Sequence, residues 1–129
     1  MTTLLSYLRA DLPGLMKRRE AVSLRAVRDV VGAIENAEVT YLSEPYAESI
    51  GSEFVAGGTR FGYAERVVRE LSDDEMLAIA RARVDERLAE AGRLRDLGRI
   101  DQALMLKAEA LALTDRLDAF AAQRTGRAG

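Results

Sequence analysis

The chain contains no cysteine, no histidine and no tryptophan. Without cysteine there is no disulfide, no thiolate nucleophile and no cysteine-ligated zinc. Without histidine the commonest general base and the commonest transition-metal ligand are gone. Aromatic residues make up 5% of the chain, so any core must be built from leucine, valine, isoleucine and alanine. Prolines are only two, Pro13 and Pro45, and lysines only two, Lys17 and Lys107. No apolar run approaches the length of a membrane span. The opening stretch MTTLLSYLRADL becomes charged too early for a secretory leader. A reducing, cytoplasmic location without membrane contact is the expectation. A net charge of −2 also argues against a generally basic nucleic-acid binder, so such a role would need a local patch.

What is present is helical periodicity. The 129 residues suit one domain, and apolar positions recur at alternating spacings of three and four. Leu5, Leu8, Leu12 and Leu15 mark a first helix, with a kink or break expected at Pro13–Gly14 and Asp11 available to cap the restart. Leu24, Val27, Val31 and Ile34 mark a second helix over 20–40. Leu77, Ala80, Val84, Leu88 and Ala91 mark a third. Its start is signalled by Ser72 with Glu75 three residues on, the pattern of a capping box, and by Leu71 and Met76 as a hydrophobic staple. Gly98 is placed to end it. Ala103, Leu106, Ala110, Leu113, Leu117 and Phe120 mark a fourth, with Leu104, Ala108 and Leu111 widening its apolar stripe.

Residues 41–71 break the pattern. Pro45, Gly51, Gly57, Gly58 and Gly62 punctuate a stretch that reads as a long irregular arm. Within it a Gly-Gly hairpin in FVAGGTRF and a short helix in YAERVVREL are expected. The fold class is therefore all-α: an antiparallel bundle of about four main helices in two hairpins, with the arm between them. A single domain over 1–125 and a frayed, disordered tail over 126–129 complete the expectation.

Chemistry is sparse. Lys17, Arg18 and Arg19 sit at the expected first turn, and Arg25 and Arg28 share a face of the second helix. Arginines so placed can hold phosphates bidentately. On composition alone a solvated surface paired with acids such as Glu20 and Asp29 is the plainer reading. Asp73, Asp74 and Glu75 are explained as residues favoured at a helix start, and no carboxylate spacing matches a metal loop. No metal and no cofactor are expected. AGGTRFG lacks the lysine and hydroxyl positions of a phosphate loop. Asn36 lies about 200° around the helix from Ile34, facing either solvent or another element. Nothing supplies an activated nucleophile, so a binding module is expected rather than a stand-alone enzyme.

The stretch Leu8–Val39 resembles the opening of YqeY-like proteins, which share a domain with the C-terminal region of the B subunit of the glutamine-dependent tRNA amidotransferase. Asp11, Leu12, Met16, Lys17, Leu24, Arg25, Ala33, Asn36 and Glu38 match the family pattern in order and spacing. The stretch from Ala80 to Leu113 resembles the family's later helical pair, where a Gly-Arg turn precedes an acid as Gly98, Arg99 and Asp101 do here. The chain departs from the pattern at Pro13, in its longer glycine-rich arm, and in lacking the family's small tail domain. The resemblance implies a non-catalytic module associated with tRNA, accessory to tRNA-dependent amidation, with Lys17, Arg18, Arg19, Arg25 and Arg28 as phosphate contacts and Asp11, Asn36 and Glu38 as family-motif residues. The competing expectation is a protein-interaction or self-associating domain, using arm residues Tyr46, Ile50, Phe54, Val55, Phe61 and Tyr63.

Overall fold

A computed structural model describes residues 2–53 and 70–128, with side chains described for 2–39 and 70–126. Among the described residues there are four helices: α1 (Leu4–Lys17), α2 (Ala21–Glu53), α3 (Asp73–Asp96) and α4 (Ile100–Ala128). They run up, down, up, down. Arg9 pairs with Glu35 across α1 and α2, Arg81 with Asp118 across α3 and α4, and Asp11 with Arg116 across α1 and α4. The all-α, two-hairpin bundle expected from the periodicity is the observed architecture.

The stripes explain the packing. Leu5, Leu8, Leu15, Val27, Val31, Ile34, Ala80, Val84, Ala110, Leu113, Leu117 and Phe120 are all buried in one core, joined by Leu4, Ala26 and Val30. Tyr7 lies against Phe120 with ring centroids 5.4 Å apart and planes tilted by 55°, a favourable arrangement for aromatic pairs. Ser72 caps α3 as its sequence predicts: its hydroxyl accepts from the Glu75 N–H (3.1 Å) while the Ser72 N–H donates to the Glu75 carboxylate (2.8 Å). Leu71 and Met76 both enter the core, completing the staple. The Leu4 N–H, one of the orphan donors at the start of α1, donates to the Asp73 carboxylate in the first turn of α3 (2.9 Å).

Several expectations are corrected. α1 runs unbroken through Pro13. Its true N-cap is Thr3, whose hydroxyl accepts from the Ser6 N–H (3.1 Å). Asp11 caps nothing; its carboxylate is taken by Arg116 at 2.6 Å. α2 does not stop near 40 but continues to Glu53, so the first part of the expected arm is helix. Pro45 and Gly51 make that helix weaker, by about 3 and 1 kcal/mol relative to alanine, without forbidding it. The expected hairpin and most of the short helix at 63–71 fall on 54–69, outside the described residues; Glu70 and Leu71 are not helical. The arm residues proposed as an interaction surface likewise have no described side chains. α4 reaches Ala128, into the stretch 126–129 expected to fray. Arg124, near Asp74 (3.2 Å) and over the Phe120 ring, ties its last turns to the bundle.

The fourth stripe is narrower than expected. Leu104, Ala108 and Leu111 are exposed on the side of α4 facing away from the core. The 3–4 alternation from Ala103 to Phe120 already fills the bundle interior; Leu104 and Leu111, one residue after core positions, are turned about 100° away, and Ala108, two residues from Leu106 and Ala110, about 200°. Leu88 is exposed as well.

Candidate binding surfaces

The turn between α1 and α2 carries the basic triplet. Arg18 is the C-cap of α1. Arg19 has a φ of +57°, in the left-handed region, a conformation that disfavours any residue with a Cβ. The Arg19 N–H donates to the Met16 carbonyl (3.2 Å) and the Glu20 N–H to the Leu15 carbonyl (3.0 Å). These two bonds are the Schellman pattern, usually built around glycine. The sequence gives no glycine signal here, so the motif was not foreseen.

Of the five predicted phosphate contacts, Lys17, Arg18, Arg19 and Arg28 gather at this corner and Arg25 does not. Lys17 and Arg19 are exposed and make no ion pair among the described residues. Arg18 pairs with Glu20, and the hydrogen bond it donates to that carboxylate, then the carboxylate's charge, hold the guanidinium above its ordinary pKa. Arg28 is exposed and reaches the Met16 sulfur at 3.6 Å, which brings it beside the end of α1. Arg25 points elsewhere, donating to the Glu109 carboxylate at 3.1 Å.

Glu109 belongs to a feature that the sequence did not signal. It is 3% exposed, at a position where the periodicity placed no core residue. Both of its oxygens are engaged, one by Arg25 and the other by Arg87 at 3.0 Å. Arg87 also pairs with Asp29 at 2.9 Å, and Asp29 accepts from Arg83 at 3.0 Å. Burial alone pushes the Asp29 carboxyl up, but hydrogen bonds and charge from Arg83 and Arg87 together outweigh it and hold the pKa below the usual carboxylate value. The hydrogen bond that Arg83 donates to Asp29 raises the Arg83 pKa in turn. This ionic layer joins α2, α3 and α4. On one side of it lies the main core; on the other a small core of Ala91, Leu94 and Ala103, with Leu106 against it. Every described buried side-chain polar atom has a partner.

The family-motif residues have local roles. Asp11 is bound to Arg116. Glu38 accepts from the Leu71 N–H at 3.4 Å, at the entry to α3. Asn36 is exposed and lines an open groove between α2 and α3 with Arg28, Gly32 and Arg83. Its amide is therefore on the same side as Arg28, outside the bundle. Among the described residues no helix is long and apolar enough to cross a membrane, and no three carboxylates are grouped to hold a metal.

No protein-family model, no curated protein and no solved structure matches this chain.

Proposed function

We propose that the chain is a YqeY-like, non-catalytic helical module that associates with tRNA as an accessory to tRNA-dependent amidation. The motif residues Asp11 through Glu38 support the kinship. The observation that carries the binding role is the α1–α2 turn: Lys17 and Arg19 are exposed there without carboxylate partners among the described residues, and Arg19 holds a backbone conformation that glycine would hold more cheaply. A cation maintained at a left-handed position is better explained by what it touches than by the fold. Arg28 and the Asn36 amide extend the same side of α2. Lys17, Arg19 and Arg28 contact phosphates; Arg25, committed to the buried Glu109, contributes little.

The test is tRNA affinity across a salt series. Binding should weaken steeply as salt rises, and Lys17→Ala and Arg19→Gly should each flatten the log–log slope by about 1. Arg19→Gly is informative because it relieves the backbone while removing the charge: the protein should be more stable yet bind less well. Absence of binding at low salt, or binding indifferent to both substitutions, refutes the reading.

A further inference from the structure

The two hairpins reach different heights, which leaves part of one without neighbours. The Leu4 N–H meets the Asp73 carboxylate (2.9 Å), so α1 and α3 start level. Asp11 meets Arg116 partway up. At 1.5 Å per residue, Lys17 at the end of α1 stands about 20 Å from that start, and Arg87 on α3 about 21 Å. Arg25, near the start of α2, reaches Glu109 at the same height as Arg87 does. The α1–α2 turn therefore lies level with the ionic layer. α3 goes on for about nine more residues to Asp96, and α4 returns through about nine, from Ile100 to Ala108. Together they form a spur about 13 Å tall above the four-helix body.

Two helices side by side bury only the seam between them. The core of the spur is Ala91, Leu94 and Ala103 with Leu106 against it, all from α3 and α4. Of the eight large apolar side chains exposed among the described residues, five stand on the spur: Leu88, Leu97, Ile100, Leu104 and Met105. Most of its apolar bulk thus lies outside the seam, where it adds little to stability. Helices of about nine residues are also too short to persist without packing. The foot of the spur is different. Glu109 is buried there with both oxygens bound, by Arg25 from α2 and Arg87 from α3. Arg87 holds Asp29 as well. Breaking that layer would strand a buried carboxylate.

We propose that the spur, residues 88–108, opens and closes as one unit while the four-helix body stays folded, and that the ionic layer is the boundary at which the opening stops. A thin seam lies on one side of the layer and the main core on the other, so the free energies of opening differ sharply across it. The α1–α2 turn belongs to the body, and the inference does not depend on RNA binding.

Native-state amide hydrogen exchange on the full chain tests this, read residue by residue over urea concentrations below the unfolding transition. The amides of Gly92, Leu94, Met105 and Leu106 should exchange at least about a hundredfold faster than those of Val30, Val84, Leu113 and Leu117. The spur amides should share one shallow urea dependence, because opening exposes little surface, and the body amides one steep dependence. Leu94→Ala should speed the spur amides by about tenfold or more and leave the body amides unchanged. Val30→Ala should speed the body amides alone. Spur and body amides that exchange together with one urea dependence overturn the proposal. So does a smooth rise toward Gly98 without a step at Arg87 and Glu109, which is ordinary fraying, or a Leu94→Ala protein that exchanges faster everywhere or fails to fold.

Discussion

The two tight turns of this protein have the same backbone and different surfaces. Three residues join α1 to α2 and three join α3 to α4. Each turn closes with the same pair of bonds: Arg19 to Met16 and Glu20 to Leu15 in the first, Gly98 to Arg95 and Arg99 to Leu94 in the second. Each then opens its next helix with the same bond, Leu24 to Glu20 and Ala103 to Arg99. The left-handed residue is Gly98 in one (φ +79°) and Arg19 in the other. One tip carries Lys17, Arg18 and Arg19 exposed, the other exposed Leu97 and Ile100 with a single cation, Arg99. Helix ends and their orphan carbonyls dictate the path of both turns, but not which side chains stand on that path.

The largest expected effect concerns the ionic layer that couples the two hairpins. Arg87→Ala should leave Glu109 buried beside only the largely exposed Arg25, destabilising the protein by about 3–5 kcal/mol, read as a drop in urea midpoint. A loss below about 1 kcal/mol would mean that the hairpins are held together by the apolar core alone.

Exchanging the turn residues probes the comparison itself. Arg19→Gly should stabilise by about 0.5–1 kcal/mol, part of the relieved strain being offset by a more flexible unfolded chain. Gly98→Arg should destabilise by about 1–2 kcal/mol. Because the turns share no partners, the double exchange should equal the sum of the singles. A destabilising Arg19→Gly would show that the turns are not equivalent after all.

The smallest effect lies in acid. Asp29 has a folded pKa below its unfolded one, so its contribution is present above about pH 4 and is lost as pH falls through the lower folded value. Asp29→Asn should therefore be less stable than the parent near pH 7 and lose less on acidification to pH 3, so that the two urea midpoints converge. Parallel pH curves would dissociate Asp29 from acid sensitivity.

Features governed by local rules were legible in the sequence. Ser72 and Glu75, Gly98, and the 3–4 stripes apart from Leu88 state their roles through spacing alone. Arg19 was not legible, because nothing in KRRE advertises a left-handed residue; the strain is imposed by the tertiary demand that α1 turn sharply into α2. Leu104 and Leu111 misled in the opposite sense, since an apolar residue in a helix does not say which of two faces is covered. Glu109 was hidden for a third reason. A carboxylate among leucines reads as surface, and only the arrival of Arg25 and Arg87 from other helices makes its burial tolerable. Of the candidate binding corner, the clustering of cations was readable; their division into paired and unpaired was not.

Glu109 also has a consequence for alignment. Leucine, valine and alanine stripes are nearly interchangeable under a slide of one helical turn, so an aliphatic bundle by itself poorly distinguishes neighbouring settings. Shifting α4 by four residues would set Leu113 against the Arg25 and Arg87 guanidiniums and move the carboxylate to another level of the bundle, away from both. A single acid between two hairpins thus works as an index mark, denying the chain the near-native alternatives that its otherwise uniform interior would permit.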